Sequence, residues 1–104
     1  MNIKGSLPLL ILHLLASGPR HGYAIASAIK ASSEGVLDFK EGTLYPTLHN
    51  LEKQGYFSAF EQEENGRTRK VYRLTDEGNA ALQAELGHWA AFTGAVNAIL
   101  DGQG

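Results

Sequence analysis

The sequence of 104 residues contains no cysteine, a single tryptophan and no apolar run of the ~20 residues that a membrane span requires. Without cysteine the chain can build neither a disulfide scaffold nor a thiol site, and this composition is typical of a cytoplasmic protein. The apolar start of the chain is not expected to be a secretion signal, because it has one lysine, Lys4, and no small-residue cleavage site. We therefore expect a cytoplasmic protein without a membrane partner.

Catalytic and metal-binding patterns are missing as well. The four histidines are scattered over positions 13, 21, 49 and 88, and no Ser/His/Asp set or metal-ligand spacing accompanies them. The sequence therefore predicts neither an enzyme nor a bound metal or cofactor. The length and the 43% share of hydrophobic residues are those of one globular domain.

Basic residues are few, and their distribution is uneven. The formal net charge is −2, and the chain after Arg73 contains four acids but no lysine or arginine. Four of the nine basic residues fall close together with no acid between them: Arg67, Arg69, Lys70 and Arg73. Because the local field at a surface governs the binding of phosphate, the negative net charge does not exclude a nucleic-acid partner.

Residues 42–55 predict a short helix with an apolar back and a polar front. Thr43 is the expected N-cap, Pro46 would then fall in the first turn, and Gly55 suits the left-handed position after the helix end. The apolar back consists of Leu44, Leu48 and Leu51 at helical spacing. The front can form hydrogen bonds or contact phosphate through Thr43, Tyr45, Thr47, His49, Asn50 and Lys53. Taken alone, the pattern fits an ordinary surface helix as well as a helix that enters a groove.

Two helices are expected before this one, at residues 7–16 and about 21–31. The first has Ser6 as its expected cap and Pro8 in its first turn, and it is apolar on nearly all sides, which predicts burial on more than one face. The second carries Ile25 and Ile29 at a spacing of four, followed by a break at residues 32–35. Together with the polar-fronted helix, it predicts a helix–turn–helix.

A β-hairpin is expected next, with strands at residues 56–62 and 67–74. Between them lies Asn65-Gly66, and Asn-Gly is the strongest short-range hairpin signal because both residues tolerate positive φ. The second strand carries the basic cluster. An isolated hairpin of this kind would be read as a solvated edge strand protected by its charge. Directly after a helix–turn–helix, it predicts the wing of a winged helix.

The last predicted helix runs from Thr75, its expected cap, to about Leu100. A heptad-like spacing of 4-3-4-3-4 joins Leu82, Leu86, Trp89, Thr93, Val96 and Leu100. The helix is longer than the domain needs, so we expect part of its apolar surface to form an intermolecular interface. The alternative is that the helix folds back on its own domain.

Three segments resemble the successive signatures of PadR-type transcriptional regulators: PRHGYAI at 19–25, GTLYPTLHNLE at 42–52 and YRLTDEG at 72–78. The resemblance implies a mainly α (α+β) fold, a winged helix–turn–helix with a two-stranded wing and a long C-terminal dimerisation helix. Residues 1–74 would be the DNA-binding domain and residues 75–104 the dimerisation helix. The implied function is that of a ligand-responsive homodimeric repressor that binds a palindromic operator in double-stranded DNA.

The residues expected to contact DNA are Tyr23, Lys40, Thr43, Tyr45, Pro46, His49, Lys53, Arg67, Arg69 and Lys70. Of these, the hydroxyl, imidazole and apolar groups of the recognition helix suit base edges in the major groove: Thr43, Tyr45, Pro46 and His49. Backbone phosphates would be held by Tyr23, Lys40 and Lys53. The wing arginines Arg67 and Arg69 would read a neighbouring minor groove by its shape and potential. The alternative is a winged-helix protein–protein interaction module without DNA binding, although such a module has no need of a basic wing.

Some multidrug-binding members of the family place a tryptophan of the last helix at the dimer centre, where it stacks on flat aromatic ligands. Trp89 resembles that residue, and a small planar aromatic effector is therefore implied as a partner. The expected lining of this effector site and dimer interface is Leu86, Trp89, Phe92 and Val96. The alternative is that Trp89 only anchors the interface and fills its own space.

Overall fold

The computed structural model describes residues 4–102. Residues 1–3 of the predicted DNA-binding domain and residues 103–104 of the predicted dimerisation helix lie outside the described part. The described chain begins with a 3-10 helix, Lys4–Ser6. Its α-helices are α1 (Leu7–Ala16), α2 (Gly22–Ser32), α3 (Glu41–Lys53) and α4 (Asp76–Leu100). Its strands are β1 (Arg20–His21), β2 (Phe57–Glu64) and β3 (Arg67–Leu74), which form one antiparallel sheet in the order β1-β3-β2. The predicted mainly α winged helix is confirmed.

Helix α1 is the centre of the core, and its burial on more than one side is confirmed. Leu7 and Ile11 belong to a cluster between α1, α2, α3 and the sheet, whereas Leu9 and Leu12 pack against Leu82 of α4. The expected cap at Ser6 is wrong, because its side chain makes no capping hydrogen bond. The backbone of Ser6 is already helical (φ −85°, ψ −12°), since α1 continues from the preceding 3-10 turn.

Helix α3 begins earlier than predicted. Its N-cap is Lys40, whose carbonyl accepts hydrogen bonds from the amides of Thr43 (3.0 Å) and Leu44 (2.9 Å), so the expectation of a Thr43 cap is wrong. Pro46 is consequently the sixth residue and lies inside the helix, where it offers no amide to the carbonyl of Gly42. The predicted end is confirmed, because Gly55 has a φ of +81° and the amide of Tyr56 returns to the carbonyl of Leu51 (3.1 Å).

The predicted two-stranded wing is present as β2 and β3. Asn65 (φ +53°) and Gly66 (φ +79°) both adopt the positive φ that a type I′ hairpin turn requires. A third strand that was not predicted, β1, pairs with β3 through His21 opposite Val71. Two residues carry no hydrophobic period, so the sequence pattern could not indicate this strand.

Helix α4 is held to the domain at its first turns and exposes its distal half. The Thr75 cap is confirmed, because its hydroxyl accepts a hydrogen bond from the amide of Gly78 (3.0 Å) and donates one to the carbonyl of Gly55 (2.6 Å). The large apolar side chains that stay exposed on α4 are Leu86, Trp89, Phe92, Ile99 and Leu100. In the single chain the first turns of this helix therefore pack on its own domain, through Leu82, while its distal half does not fold back on it. No helix within residues 4–102 is long and apolar enough to cross a membrane.

Candidate nucleic-acid interface

The outer side of α3 forms a polar stripe beside the wing. The three leucines of the predicted apolar back, Leu44, Leu48 and Leu51, are buried in the core and fix which side of the helix faces outward. Pro46, His49 and Lys53 are exposed, and their spacing of three and four places them on one outer face. Thr43, half-buried and one turn earlier, continues the same stripe.

Tyr45 lies apart from this stripe, although all four major-groove candidates were expected together. Its ring packs on α2: a Cβ placed on Gly22 would lie 3.1 Å from Tyr45 Cε1 and 3.4 Å from its hydroxyl oxygen. Tyr45 is therefore half-buried in a cleft between α2, α3 and the wing. A methyl group in place of the hydrogen of Gly22 would require the Tyr45 ring to move by a few tenths of an ångström.

Lys40 is exposed at the start of α3, but it is paired within the chain. Its Nζ lies 3.1 Å from Asp38 Oδ2, and Lys30 Nζ approaches the same oxygen at 3.6 Å. The hydrogen bond from Lys40 is the main reason that the pKa of Asp38 is lowered. This carboxylate was not considered in the sequence analysis, and it lies where a phosphate contact of Lys40 would have to form.

Arg69 is fastened to the start of α2 and does not stand at the wing tip. Its Nη1 donates a 2.7 Å hydrogen bond to the Tyr23 hydroxyl, and its guanidinium carbon lies 5.2 Å from the centre of that ring. The His21 ring stacks on Tyr23 at 5.7 Å, and His21 Nε2 lies 3.5 Å from Glu64 Oε2. The contact between Arg69 and Tyr23 joins residues 46 positions apart, which no local pattern could have indicated.

The basic strand of the wing runs beside an acidic one. Glu64 pairs in register with Arg67 and Glu61 with Lys70, so acids of β2 stand opposite bases of β3. Lys70 also approaches Glu52 of α3, with its Nζ 3.5 Å from Oε1. Burial raises the pKa of the neighbouring Tyr72 hydroxyl. The acids could have been found from the sequence by pairing the strands across the Asn-Gly turn.

Within the wing, Arg67 is the basic side chain that is most available. It is exposed next to the turn, whereas Arg69 contacts Tyr23, Lys70 contacts Glu52 and Arg73 stacks on Phe60 at 4.9 Å. The compact basic cluster of the sequence is thus distributed over several different contacts.

Among residues 4–102, no group of three or more His, Asp and Glu side chains is placed to hold a metal ion.

The distal half of α4 carries the aromatic pair that was expected at an interface. Trp89 and Phe92 lie with their ring centres 6.1 Å apart, and both remain 39% exposed. Leu86 is also 39% exposed, while Val96 is half-buried.

A separate apolar groove of about 290 Å³ lies between α1 and α2 and is lined by Leu10, His13, Leu14, Ala28, Ile29, Ser32, Ser33 and Leu37. His13 is exposed at this groove.

Helices α2 and α3, followed by the β2–β3 hairpin, define a winged helix–turn–helix protein. The sequence pattern of the Transcriptional regulator PadR-like family matches residues 11–84. The chain therefore belongs to the PadR-like family of transcriptional regulators. This membership confirms the prediction of a DNA-binding regulator that is not an enzyme.

Three related proteins have sequences or structures similar to this chain. Transcriptional regulator Rv3488 of Mycobacterium tuberculosis is 38% identical over 79 residues, which cover 76% of this chain and 71% of that protein. A transcriptional regulator from Clostridium thermocellum superposes with a TM-score of 0.85 at 33% identity, over 91% of this chain and 90% of the other. Bacillus subtilis PadR, solved in complex with operator DNA, superposes with a TM-score of 0.69 at 31% identity, over 77% of this chain and 46% of that chain.

Proposed function

We propose that this protein is a cytoplasmic, sequence-specific repressor that binds a palindromic operator as a homodimer. The observation that carries the proposal is the exposed polar stripe of α3 beside the wing, on a fold of the PadR-like family. The operator complex of Bacillus subtilis PadR supports it, because that protein is similar to 77% of this chain. A helix of this width fits the major groove of B-form DNA.

Each part of the interface is assigned a different task. Thr43, Pro46 and His49 would face base edges in the major groove, with the Pro46 ring suited to a thymine methyl group. Tyr45, half-buried against α2, would contribute its hydroxyl at the groove edge and hold α3 in place. Phosphates would be held by Tyr23, which is 54% exposed, and by Lys40 and Lys53. Arg67, at the wing tip, would enter the adjacent minor groove.

The test is a selection of bound duplexes from a random DNA pool, followed by binding measurements on two variants. Lys53→Ala should weaken binding to selected and random duplexes alike and reduce the salt slope by about 1 per subunit. His49→Ala should lower the preference for the selected duplex by about 1–3 kcal/mol and leave random DNA nearly unaffected. Gln83→Ala, at an exposed position of α4, is the control and should change neither quantity.

The alternative of a protein-interaction module is favoured by one observation, the engagement of Arg69 and Lys70 with Tyr23 and Glu52 of the same chain. The contact with Glu52 reduces the positive charge that Lys70 offers to DNA, and the bond to Tyr23 holds Arg69 away from the wing tip. The selection decides between the two functions. A pool that shows no enriched sequence after binding to the folded protein would contradict the repressor and leave the interaction module.

The exposed half of α4 supports the homodimer, with residues 75–104 as the dimerisation segment. Large apolar side chains rarely stay uncovered in a contiguous row, and Ile99 and Leu100 are 66% and 75% exposed. The α1–α2 groove has the apolar lining that the end of a partner's α4 would need. Gly87 and Gly94 of α4 have nothing within 4 Å of an added Cβ, so a partner helix could pack closely against α4 at these two positions.

The effector site is proposed at the same interface. Trp89 and Phe92 present two aromatic faces on the exposed ridge, with Leu86 and Val96 beside them. Two copies of this ridge across a two-fold axis would form an apolar slot suited to a small planar aromatic molecule. Binding there would shift the spacing of the two α3 helices, and this spacing sets whether both can enter the operator.

A further inference from the structure

A cleft of about 230 Å³ lies where α2, α3 and the wing meet. Its lining consists of His21, Gly22, Tyr23, Tyr45, Arg69, Lys70 and Tyr72. The lining contains no carboxylate, and each of its polar side chains can donate a hydrogen bond: three tyrosine hydroxyls, one imidazole and two cations. A cleft that carries two cations, several further donors and no carboxylate is complementary to an anion.

The cleft also has too few acceptors for its own donors. Arg69 Nε and His21 Nδ1 are buried and have no hydrogen-bond partner among the described residues. The Nε of arginine always carries a hydrogen, so it is a donor under all conditions. Arg69 Nη1 is bound to the Tyr23 hydroxyl, and this bond together with the ring contact holds the guanidinium in place. The remaining N–H groups of its half-exposed end are available for a further acceptor.

The charges around Arg69 leave its own charge uncompensated. Glu64 lies 3.5 Å from His21 Nε2, and Glu52 lies 3.5 Å from Lys70 Nζ, so each of these acids already faces another base. No carboxylate of the described residues lies within ion-pair distance of Arg69. A fixed guanidinium without a counterion suits the planar, multi-donor recognition of a phosphate.

We propose that this cleft binds one backbone phosphate of the DNA in each half-site, with Arg69 as its principal ligand. The inference rests on the proposed DNA-binding function and changes the task of Arg69 from reading the minor groove to holding a phosphate. It also changes the task of Tyr23 from holding a phosphate itself to positioning Arg69, since its hydroxyl fixes the guanidinium. We assign the duplex backbone as the occupant because the lining includes Tyr45 of α3 and Arg69 and Lys70 of the wing, the two elements assigned to the grooves.

The test is a double-mutant cycle, in which side-chain variants of the protein are combined with replacements of single DNA phosphates. The duplex enriched in the selection is prepared as a series in which one phosphate at a time is replaced by a neutral methylphosphonate. Neutralising the phosphate at one position per half-site should lower the affinity of the wild-type protein for the duplex about tenfold. The same replacement should lower the affinity of Arg69→Ala less than twofold. Arg67→Ala, which removes an equal charge from the exposed wing tip, is the matched control and should keep the tenfold loss at that position.

Further variants separate a direct phosphate contact from a structural role. Arg69→Lys keeps the charge but loses the fork of donors, so it should retain part of the coupling between position 69 and the same phosphate. It also replaces Arg69→Ala in the cycle if Arg69→Ala fails to fold. Tyr23→Phe should reduce the coupling there without a change at other positions. Equal losses for wild type and Arg69 variants at every phosphate would overturn the inference, while the absence of any enriched duplex would contradict the proposed function itself.

A free anion is the remaining outcome. Replacing chloride by inorganic phosphate at constant ionic strength should raise the melting temperatures of wild type and Arg69→Ala equally. A rise that depends on Arg69, without coupling to any backbone phosphate, would assign the cleft to a soluble phosphate and overturn the assignment to DNA.

Discussion

Gly78, the third residue of α4, leaves no room for a side chain, and Gly78→Ala tests this packing. A Cβ at this position would overlap the carbonyl oxygen of Tyr56 and would lie 2.8 Å from the carbon of that carbonyl and 2.6 Å from Leu74 Cδ1. The same carbonyl oxygen accepts the hydrogen bond from the amide of Thr75 (3.1 Å), so the backbone there has little freedom to withdraw. Helix α4 must therefore shift away from the turn after α3, or the turn must move.

The magnitude follows from two opposing effects. Forcing extra volume into a close-packed site destabilises a protein by roughly 1–3 kcal/mol, and a backbone neighbour places this change at about 3 kcal/mol. Against this, replacing glycine by alanine inside a helix stabilises by about 1 kcal/mol. The net loss for Gly78→Ala is thus about 2 kcal/mol, which for a domain near 100 residues lowers the melting temperature by roughly 10 °C.

Thermal and urea unfolding followed by circular dichroism measure this loss. Gly42→Ala is the matched control, because Gly42 also lies in a first helical turn but has nothing within 4 Å of an added Cβ. Its stability should rise by up to about 1 kcal/mol, because nothing opposes the gain of alanine over glycine in a helix. A Gly78→Ala variant as stable as wild type or the control would refute the packing of α4 against Tyr56.

Three further predictions concern the interface, the effector and the DNA contacts. Truncation after Gly87 removes most of the exposed ridge but keeps Leu82 in the core, so sedimentation should show a folded monomer where the full chain is a dimer at micromolar concentration; a full-length monomer would contradict the dimer. Emission from Trp89, the only tryptophan, should change with planar aromatic dyes, and an unchanged emission at high micromolar dye would leave only the anchor role. Asp38→Asn should tighten duplex binding about twofold to fivefold, because it releases Lys40 for a phosphate. The gain should be equal at pH 6 and pH 8, because the lowered pKa of Asp38 keeps its carboxylate charged at both. An unchanged affinity would contradict the phosphate contact of Lys40.

Local features of the fold could be predicted from the sequence because their chemistry is local. The Asn65-Gly66 turn and the Thr75 cap depend on a few neighbouring residues, and both occur as expected. The start of α3 could not be placed in the same way. Threonine is only a preferred cap, and the extended backbone of Lys40 allows the helix to begin one turn before the proline.

The arrangement of the candidate site could be predicted less completely, since it depends on contacts between distant segments. The sequence indicates that Arg69 belongs to a basic strand, but its bond to Tyr23 exists only once β1 has placed the start of α2 beside β3. The turn of Tyr45 onto Gly22 depends in the same way on how α2 and α3 cross. By contrast, the pairing of Glu64 with Arg67 follows from the hairpin register and was available from the sequence.

The salt dependence of binding to the selected duplex tests DNA recognition by this protein most directly. Two subunits that each contribute about three phosphate contacts should give a slope of roughly −5 in a plot of log affinity against log salt concentration. At each salt concentration, the selected duplex should bind at least about a thousandfold tighter than a random duplex of the same length. An affinity that does not change with salt, or equal affinities for the two duplexes, would contradict sequence-specific DNA binding by this protein.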